Sequence, residues 1–337
     1  MKTKTLLIGC GHHGEKYLNI LLKQGEDLIV LETSKTRIKQ LESKYKNVIF
    51  IEDYKLLINK YISKISNAIL CNWGPDHLKS INLCKDLKIK KIFVEKPLEV
   101  SIKKLDQIGN LNESNFQIYS NLPRDNSQIF RKLDNLNIKY NLGNLNYIIF
   151  QGGARDFSTT GIHYLKLASQ IFGTLPISVS GNGDFERINP RGKNFEFWDG
   201  ALIYNFSNNQ KFHLIFSNKS NVAGNFIFNY DYGILKFNEL GDGNLELIPQ
   251  NNRNISITRV QNGKILTVNN LFEDTMHLLN LQINKFFNSR FSKKQVKDLE
   301  QAINLTKALI YGIQSIKKDK TLKIDYDSKI NYMIKTT

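Results

Sequence analysis

The sequence predicts two domains of different class. An α/β domain with a parallel, doubly wound sheet is expected over residues 1–120. An α+β domain with a large, mostly antiparallel, open-faced sheet is expected over residues 121–337. Three observations predict this. Apolar strands alternate with helical patterns through the first third of the chain, the rhythm of right-handed βαβ units. After about Asn121 the rhythm gives way to successive strand-like runs separated by Asn, Gly and Ser clusters, as in Ser207-Asn208-Asn209 and Gly241-Asp242-Gly243-Asn244, which is the pattern of antiparallel strands. No internal repeat and no low-complexity linker marks the junction, so the boundary is a change of topology.

In the first domain, Lys2 to Ile8 reads as a short strand that runs straight into Gly9-Cys10-Gly11-His12-His13-Gly14, a G-x-G-x-x-G spacing. Glu15 to Lys23 follows with helical spacing and puts Tyr17, Leu18, Leu21 and Leu22 on one face. Asp27 to Leu31 is a second buried strand, with Glu32 at its C-terminal end. Val48 to Ile51, Ala68 to Cys71 and Lys91 to Val94 are the third, fourth and fifth strands. Pro75 falls near the start of the helix after the fourth strand, where proline is favoured. Ser101 is expected to cap a helix reaching about Gly109, and Gln117 to Tyr119 is the sixth strand. In such sheets, ligands lie beyond the C-terminal strand ends.

In the second domain, a helix is expected around Gln128 to Leu133, then a strand from Leu145 to Phe150. A helix from Thr160 to Phe172 is stopped by Gly173. Strands follow at Ile177–Val179, Leu202–Phe206, Lys211–Phe216, Phe226–Tyr230, Ile234–Phe237, Leu245–Ile248 and Ile255–Thr258. Helical patterns over Glu273–Phe287 and Lys294–Ile316 close the chain, with a short strand near Leu322–Ile324.

Composition narrows the function classes. With 337 residues the chain has room for two sizeable cores. No apolar run approaches the length of a membrane span, and the short apolar N-terminal stretch makes a poor signal peptide. Cys10, Cys71 and Cys84 form an odd set without C-x-x-C spacing, so they read as small apolar residues of a reducing, cytoplasmic protein, with neither a disulfide framework nor a metal site. The formal net charge is +16. Its lysines are scattered over polar helix faces and turns, so it reads as a solvated surface, without a nucleic-acid or membrane partner.

The glycine motif has its full context of strand before and helix after. Gly9 allows the tight turn, Gly11 lets a pyrophosphate approach the backbone, and Gly14 lets the helix pack close to the strand. His12 and His13 fill the variable positions and face solvent or phosphate. The helix N-terminus offers N–H groups and a partial positive charge. Glu32 lies about twenty residues on, where a carboxylate accepts hydrogen bonds from an adenosine ribose. It favours NAD, because it repels a 2′-phosphate; Lys35 and Arg37 keep NADP as the alternative.

Glu95-Lys96-Pro97 follows the fifth strand. Gly152-Gly153-Ala154-Arg155-Asp156, then Thr160-Gly161-Ile162-His163-Tyr164-Leu165, opens a helix in the second domain. Together with the glycine motif, these residues resemble the glucose–fructose oxidoreductase and inositol dehydrogenase family (Gfo/Idh/MocA) over nearly the whole chain. The resemblance implies a Rossmann domain joined to a substrate-binding and oligomerisation domain, with a C-terminal helix packing back toward the first. It implies an NAD(P)-dependent oxidoreductase that moves a hydride to or from a hydroxyl or carbonyl of a sugar, cyclitol or nucleotide sugar. It also implies a cis Lys96–Pro97 bond and cofactor contacts from Asn72, Trp73, Glu95, Lys96 and Pro97. Lys96 and His163 are the catalytic candidates. Histidine titrates near neutrality and suits a proton that leaves with the hydride, and a lysine stabilises charge developing on the same oxygen.

Two departures from the family pattern matter. Thr159 stands where an Asp is usual four residues before the histidine, and Lys166 stands where an Asp is usual three residues after it. Asp156 is close enough in sequence to substitute. Asn121, Arg124, Asp156, Thr159 and Thr160 are the candidate substrate contacts. Lys166 reads as a solvated lysine or a partner for an anionic substrate group, and His77 as a capping or packing residue. The expected assembly is a homodimer or homotetramer acting on a carbohydrate or nucleotide-sugar substrate. The alternative is a sensor or scaffold that keeps the NAD(P) site and has lost catalysis.

Overall fold

The first seventy residues already supply four of the six strands in the sheet that organises the N-terminal unit. In the computed structural model, β1 (Lys4–Ile8) leads into α1 (His12–Lys23), β2 (Leu28–Leu31), α2 (Lys35–Lys44), β3 (Ile49–Ile51), α3 (Tyr54–Tyr61) and β4 (Ile65–Leu70). A 3₁₀ turn at Gly74–Asp76 carrying Pro75 then opens α4 (His77–Asp86), followed by β5 (Lys91–Val94), α5 (Ile102–Leu111) and β6 (Gln117–Ser120). The structure describes residues 4–335 apart from 62–63, 123–128, 154, 185–195, 218, 240–244, 251–253, 255–258, 260–263, 269–274 and 329.

The strand order is β3-β2-β1-β4-β5-β6, and every pairing is parallel. All four residues of β2 are buried, as expected of a strand covered on both faces. The order reverses between β1 and β4, and a parallel sheet opens a crevice at such a point.

Chain contacts divide the molecule into two units. The first is Met1–Asn121 with Gln282–Thr306 and Lys329–Thr337; the second is Leu122–Leu281 with Lys307–Ser328. Two late segments therefore belong to the first unit, a return that the sequence pattern does not mark. Within it, Phe286 packs on Phe93 and Tyr119 at ring separations of 5.5 and 5.3 Å. Lys91 donates to the carbonyl of Phe287, near the end of a helix over Thr275–Asn288, where a cation is favoured.

The second unit holds α6 (Ile129–Tyr140), β7 (Leu145–Gly153), α7 (Phe157–Phe172), β8 (Ser178–Asn182), β9 (Gly200–Asn205) and β10 (Lys211–Ser217). It continues with β11 (Asn225–Tyr230), β12 (Gly233–Asn238), β13 (Leu245–Pro249) and β14 (Leu266–Val268). Then come α8 (Thr275–Asn288), α9 (Lys293–Lys318) and β15 (Leu322–Lys323), both helices being divided between the units. Among the described residues the sheet has nine strands in the order β14-β13-β12-β11-β7-β10-β9-β8-β15. Only the β7–β10 pairing is parallel. Ile148, Phe150, Phe212, Leu214, Phe226 and Phe228 on one face are fully buried. Tyr147, Ile149, His213 and Ile227 on the other are not. α7 covers the buried face: Tyr164 stacks on Phe150 at 3.9 Å, and Gly161 lies beside Leu214. Gly173 ends α7 in the left-handed region at φ 71°, a conformation glycine takes without cost.

The differences from expectation are local. α1 begins at His12 and α7 at Phe157, each three residues earlier than its apolar spacing suggests. Thr159 and Thr160 thus sit in the first turn of α7. β7 runs on to Gly153, α6 extends to Tyr140, and β14 is additional. The expected strand Ile255–Thr258 lies outside the described residues.

Ser101 occupies the N-cap position of α5 but makes no side-chain cap bond. Its hydroxyl donates instead to Asn331 Oδ1 at 2.7 Å, because the late segment passes there and Ser101 pairs as a bridge with Met333. Ser101→Ala and Asn331→Ala are each expected to cost about 1 kcal/mol, and the double variant little more than either single one. Urea denaturation of the four proteins checks this; additive losses would contradict the bond.

Candidate functional site

The three motif glycines meet three different surroundings. Gly9 has φ +83°, and a Cβ there would meet the Asn72 backbone at 2.7 Å, so β1 can turn only with a glycine. A Cβ on Gly14 would lie 2.3 Å from the Gly9 carbonyl oxygen, so α1 approaches the loop only without a side chain. A Cβ on Gly11 would meet nothing within 4 Å. Among the described residues nothing fills the space above Gly11, whereas protein atoms crowd the other two.

That space belongs to a groove of about 1050 Å³ at the C-terminal ends of β1, β2 and β4, lined by Gly9, Gly11, Glu32, Asn72 and Trp73 among others. Glu32 accepts from the Cys10 N–H at 2.8 Å and from the Ser34 N–H at 2.9 Å, which fixes its carboxylate at the strand end. Arg37 donates to the Cys10 carbonyl and is ion-paired with Glu15. Lys35 lies 3.6 Å from Glu52. Hydrogen bonds from Lys44, Arg37 and Tyr45 hold the Glu15 carboxyl down to about 2. Asn72 donates to Ser80, while its buried Oδ1 finds no partner among the described residues. Trp73 is 45% exposed at the groove. An open glycine cradle, a fixed carboxylate and an unmatched amide oxygen fit an adenosine with a pyrophosphate.

The loop after β5 is held from below. Lys96–Pro97 is cis, as the resemblance implies. His77 is 1% exposed and bonds the carbonyls of Pro97, Leu98 and Asn72. It joins this loop to the one after β4, and burial pushes its imidazole down. Glu95 is buried and accepts from Tyr17, from His13 Nε2 at 2.8 Å and from Asn121 Nδ2 at 2.6 Å, all on one oxygen. Its other oxygen accepts the Lys96 N–H at 2.9 Å. Burial pushes the Glu95 carboxyl up, but His13, Lys96 and Tyr17 outweigh it and hold it at about 2. His12 is exposed, whereas His13 is committed to Glu95. Asn121, a candidate substrate contact, donates to Tyr17 and Glu95. Tyr17 reads in sequence as an apolar-face residue, and no local signal marks its hydroxyl as part of this cluster.

In the second unit, α7 presents Thr159, Thr160 and His163 as half-buried residues of its first two turns. Asp156 is 4% exposed, with one oxygen on the Trp198 N–H and the other on the Ser158 hydroxyl. Burial pushes its carboxyl up. Lys166 is 2% exposed, which corrects the reading of a solvated lysine. Arg155 is ion-paired with Glu239 and bonds Tyr164. Arg124 lies outside the described residues. Cys10, Cys71 and Cys84 are free thiols. Among the described residues, no helix is long and apolar enough to cross a membrane.

No protein-family model and no curated protein matches the chain. Solved structures do. An oxidoreductase from Agrobacterium radiobacter in complex with NAD+, L-tartaric acid and magnesium is 13% identical, with a TM-score of 0.70 over 96% of this chain and 99% of that one. Biliverdin reductase from Synechocystis, in complex with biliverdin and NADP+, is 12% identical with a TM-score of 0.71, covering 94% of this chain and 100% of its own. A super-repressor mutant of Gal80p from Saccharomyces cerevisiae is 15% identical with a TM-score of 0.71, covering 98% of this chain and 100% of its own. The chain therefore has the fold of these proteins, a Rossmann-like parallel sheet followed by a large, mostly antiparallel one.

Proposed function

We propose that the chain is an oxidoreductase that uses NAD, with NADP as the alternative, and moves a hydride to or from a hydroxyl or carbonyl of a carbohydrate or nucleotide-linked sugar. The open cradle above Gly11, facing the same groove as the pinned Glu32 carboxylate, carries this reading. A 2′-phosphate would meet Glu32, while Arg37 is engaged by Glu15 and the Cys10 carbonyl, which supports NAD. The cofactors named in the Agrobacterium and Synechocystis complexes agree with a dinucleotide.

A bound nicotinamide accepts or supplies the hydride. Lys96 would hydrogen-bond the reacting oxygen, and His163 would take or return its proton. Thr159 and Thr160 would contact substrate hydroxyls. The half-open sheet face, with Ile149, Ile227 and Tyr147, would be covered by self-association into a dimer or tetramer, in a reducing cytoplasm that keeps the three thiols free.

A panel of sugars and nucleotide sugars, scored by cofactor absorbance, tests the proposal. Lys96→Ala and His163→Ala are each expected to lower turnover by about 10²–10⁴-fold with dinucleotide affinity nearly unchanged. A second reading, a sensor or scaffold that binds the dinucleotide without turnover, has its own support. Asp156 is already committed inside its unit, Lys166 is buried where an acid is usual, and one of the similar structures is a repressor. Tight binding with no turnover across the panel would favour it.

A further inference from the structure

Arg37 stands beside the glycine loop but is turned away from the groove. It lies in the first turn of α2, with its N–H on the Ser34 hydroxyl. Its Nε donates to the Cys10 carbonyl at 2.8 Å, between two glycines that line the groove. The Cys10 N–H in turn donates to Glu32. One loop residue therefore holds the guanidinium by its carbonyl and the carboxylate by its N–H. Burial pushes the Cys10 thiol up to about 12; Arg37 opposes the rise, and Glu32 and Glu15 add to it, so all three charges act at this residue. Glu32 lines the groove, and Arg37 does not. Glu15, in the first turn of α1, accounts for the difference. It meets the Arg37 guanidinium at 2.6 Å, and neither side chain is more than 25% exposed. Its other oxygen accepts from Lys44 at 2.5 Å and from Tyr45 at 2.8 Å. Three donors fix the carboxylate, and the carboxylate fixes the arginine.

We propose that Glu15, from outside the groove, sets the choice between the two dinucleotides: it withholds from the groove the arginine that a 2′-phosphate would need. This rests on the dinucleotide reading above. NAD and NADP differ by one phosphate on the adenosine ribose. A guanidinium matches a phosphate with two parallel hydrogen bonds, and an arginine near the end of the second strand can accommodate that group. Here the arginine is present but engaged by Glu15, so a 2′-phosphate would meet Glu32 without a counter-charge. Selection has two parts, a carboxylate that repels and a cation held back.

The other cations nearby do not depend on Glu15 in the same way. Lys104 lines the groove but donates to the Pro75 carbonyl and lies 3.7 Å from Glu99. Lys79 lines it from α4. Lys35 is paired with Glu52 at 3.6 Å, both exposed, and such a pair constrains a lysine little. Loss of Glu15 leaves these three as they are. It releases Lys44 as well as Arg37, so the two must be separated by experiment. Lys44 lies at the far end of α2, whereas Arg37 is bonded to the loop itself.

Fluorescence titration of the whole protein with NADH and with NADPH, scored as the ratio of the two dissociation constants, tests the proposal. Wild type should prefer NADH. Glu15→Gln should narrow that preference about tenfold, the effect of one hydrogen bond to a charged group, by tightening NADPH with NADH nearly unchanged. Adding Arg37→Gln to Glu15→Gln should restore the wild-type ratio, whereas adding Lys44→Gln should not. Arg37→Gln alone should leave the ratio as in wild type, because the arginine is already withheld. Thermal melts of each variant confirm that it is folded, and the Arg37→Gln arm decides even where Glu15→Gln does not fold. A wild type that prefers NADPH, an unchanged ratio in folded Glu15→Gln, a gain that survives the loss of Arg37, or a loss of NADPH affinity in Arg37→Gln that spares NADH overturns the proposal alone. Absence of NADH and NADPH binding to wild type overturns the dinucleotide reading as well.

Discussion

Gly11→Ala is expected to weaken NADH binding at least about a hundredfold, close to 3 kcal/mol, while shifting the melting temperature by no more than about 2 °C. The two halves of this result come from one geometric fact. Gly11 has φ −65° and ψ −164°, which alanine adopts without strain, and a Cβ there would meet nothing within 4 Å. The folded apoprotein should therefore accept the methyl group, and the lost freedom of the unfolded chain offsets any small cost. The methyl group would instead stand where a pyrophosphate approaches the backbone. Gly14→Ala is the informative contrast. Its Cβ would lie 2.3 Å from the Gly9 carbonyl oxygen, so the loop must move, and melting temperature should fall together with affinity. Fluorescence titration and thermal melts of the two variants check the pair. Wild-type affinity in Gly11→Ala would mean that the groove takes its ligand elsewhere.

What could be read in advance was what is local along the chain. Gly9, Gly11 and Gly14 announce their turn through spacing alone, and Glu32 announces itself by ending a strand. The packing role of His77 follows from its place just inside a helix after a strand-end loop. The His13–Glu95 bond joins residues 82 apart in sequence, and the Ser101–Asn331 bond joins residues 230 apart. Neither leaves a periodic trace, because each depends on two loops arriving at one place. Lys166 is different, since a signal for it existed. Tyr164, Leu165, Leu167 and Ala168 surround it, and α7 is buried at ten positions. A helix apolar nearly all round is enclosed, so a lysine within it should have been expected inside. Asp156 reads as an available acid because it precedes a helix. Its oxygens are taken by Trp198 and Ser158, and the distant Trp198 could not be placed from the pattern.

Glu95→Ala is expected to destabilise the protein by about 3–5 kcal/mol, the range found when one member of a buried charged pair is removed. The reason lies in its partners. Tyr17, Asn121, His13 and the Lys96 N–H all donate to this one carboxylate, and water does not replace it in a buried site. Glu95→Gln, which keeps an acceptor oxygen, should cost less at neutral pH and shows the charge contribution separately. The carboxyl's ordinary value of 4.5 falls to about 2 in the folded state. Its ionised form therefore contributes stability that is complete above about pH 4.5 and is lost as pH falls through about 2, on the order of 3 kcal/mol in all. Glu15 is held equally low, by Lys44, Arg37 and Tyr45, but it is 20% exposed and Lys44 is 61% exposed, so salt should weaken its contribution. Urea denaturation between neutral pH and about pH 2.5 distinguishes the two carboxylates. Glu95→Gln should flatten the dependence of stability on pH at low salt and also at about 0.5 M salt, whereas Glu15→Gln should do so at low salt only. An unchanged pH slope in Glu95→Gln would mean that the buried cluster does not depend on the charge of Glu95, and with it would go the argument that this carboxylate fixes both His13 and the Lys96 loop.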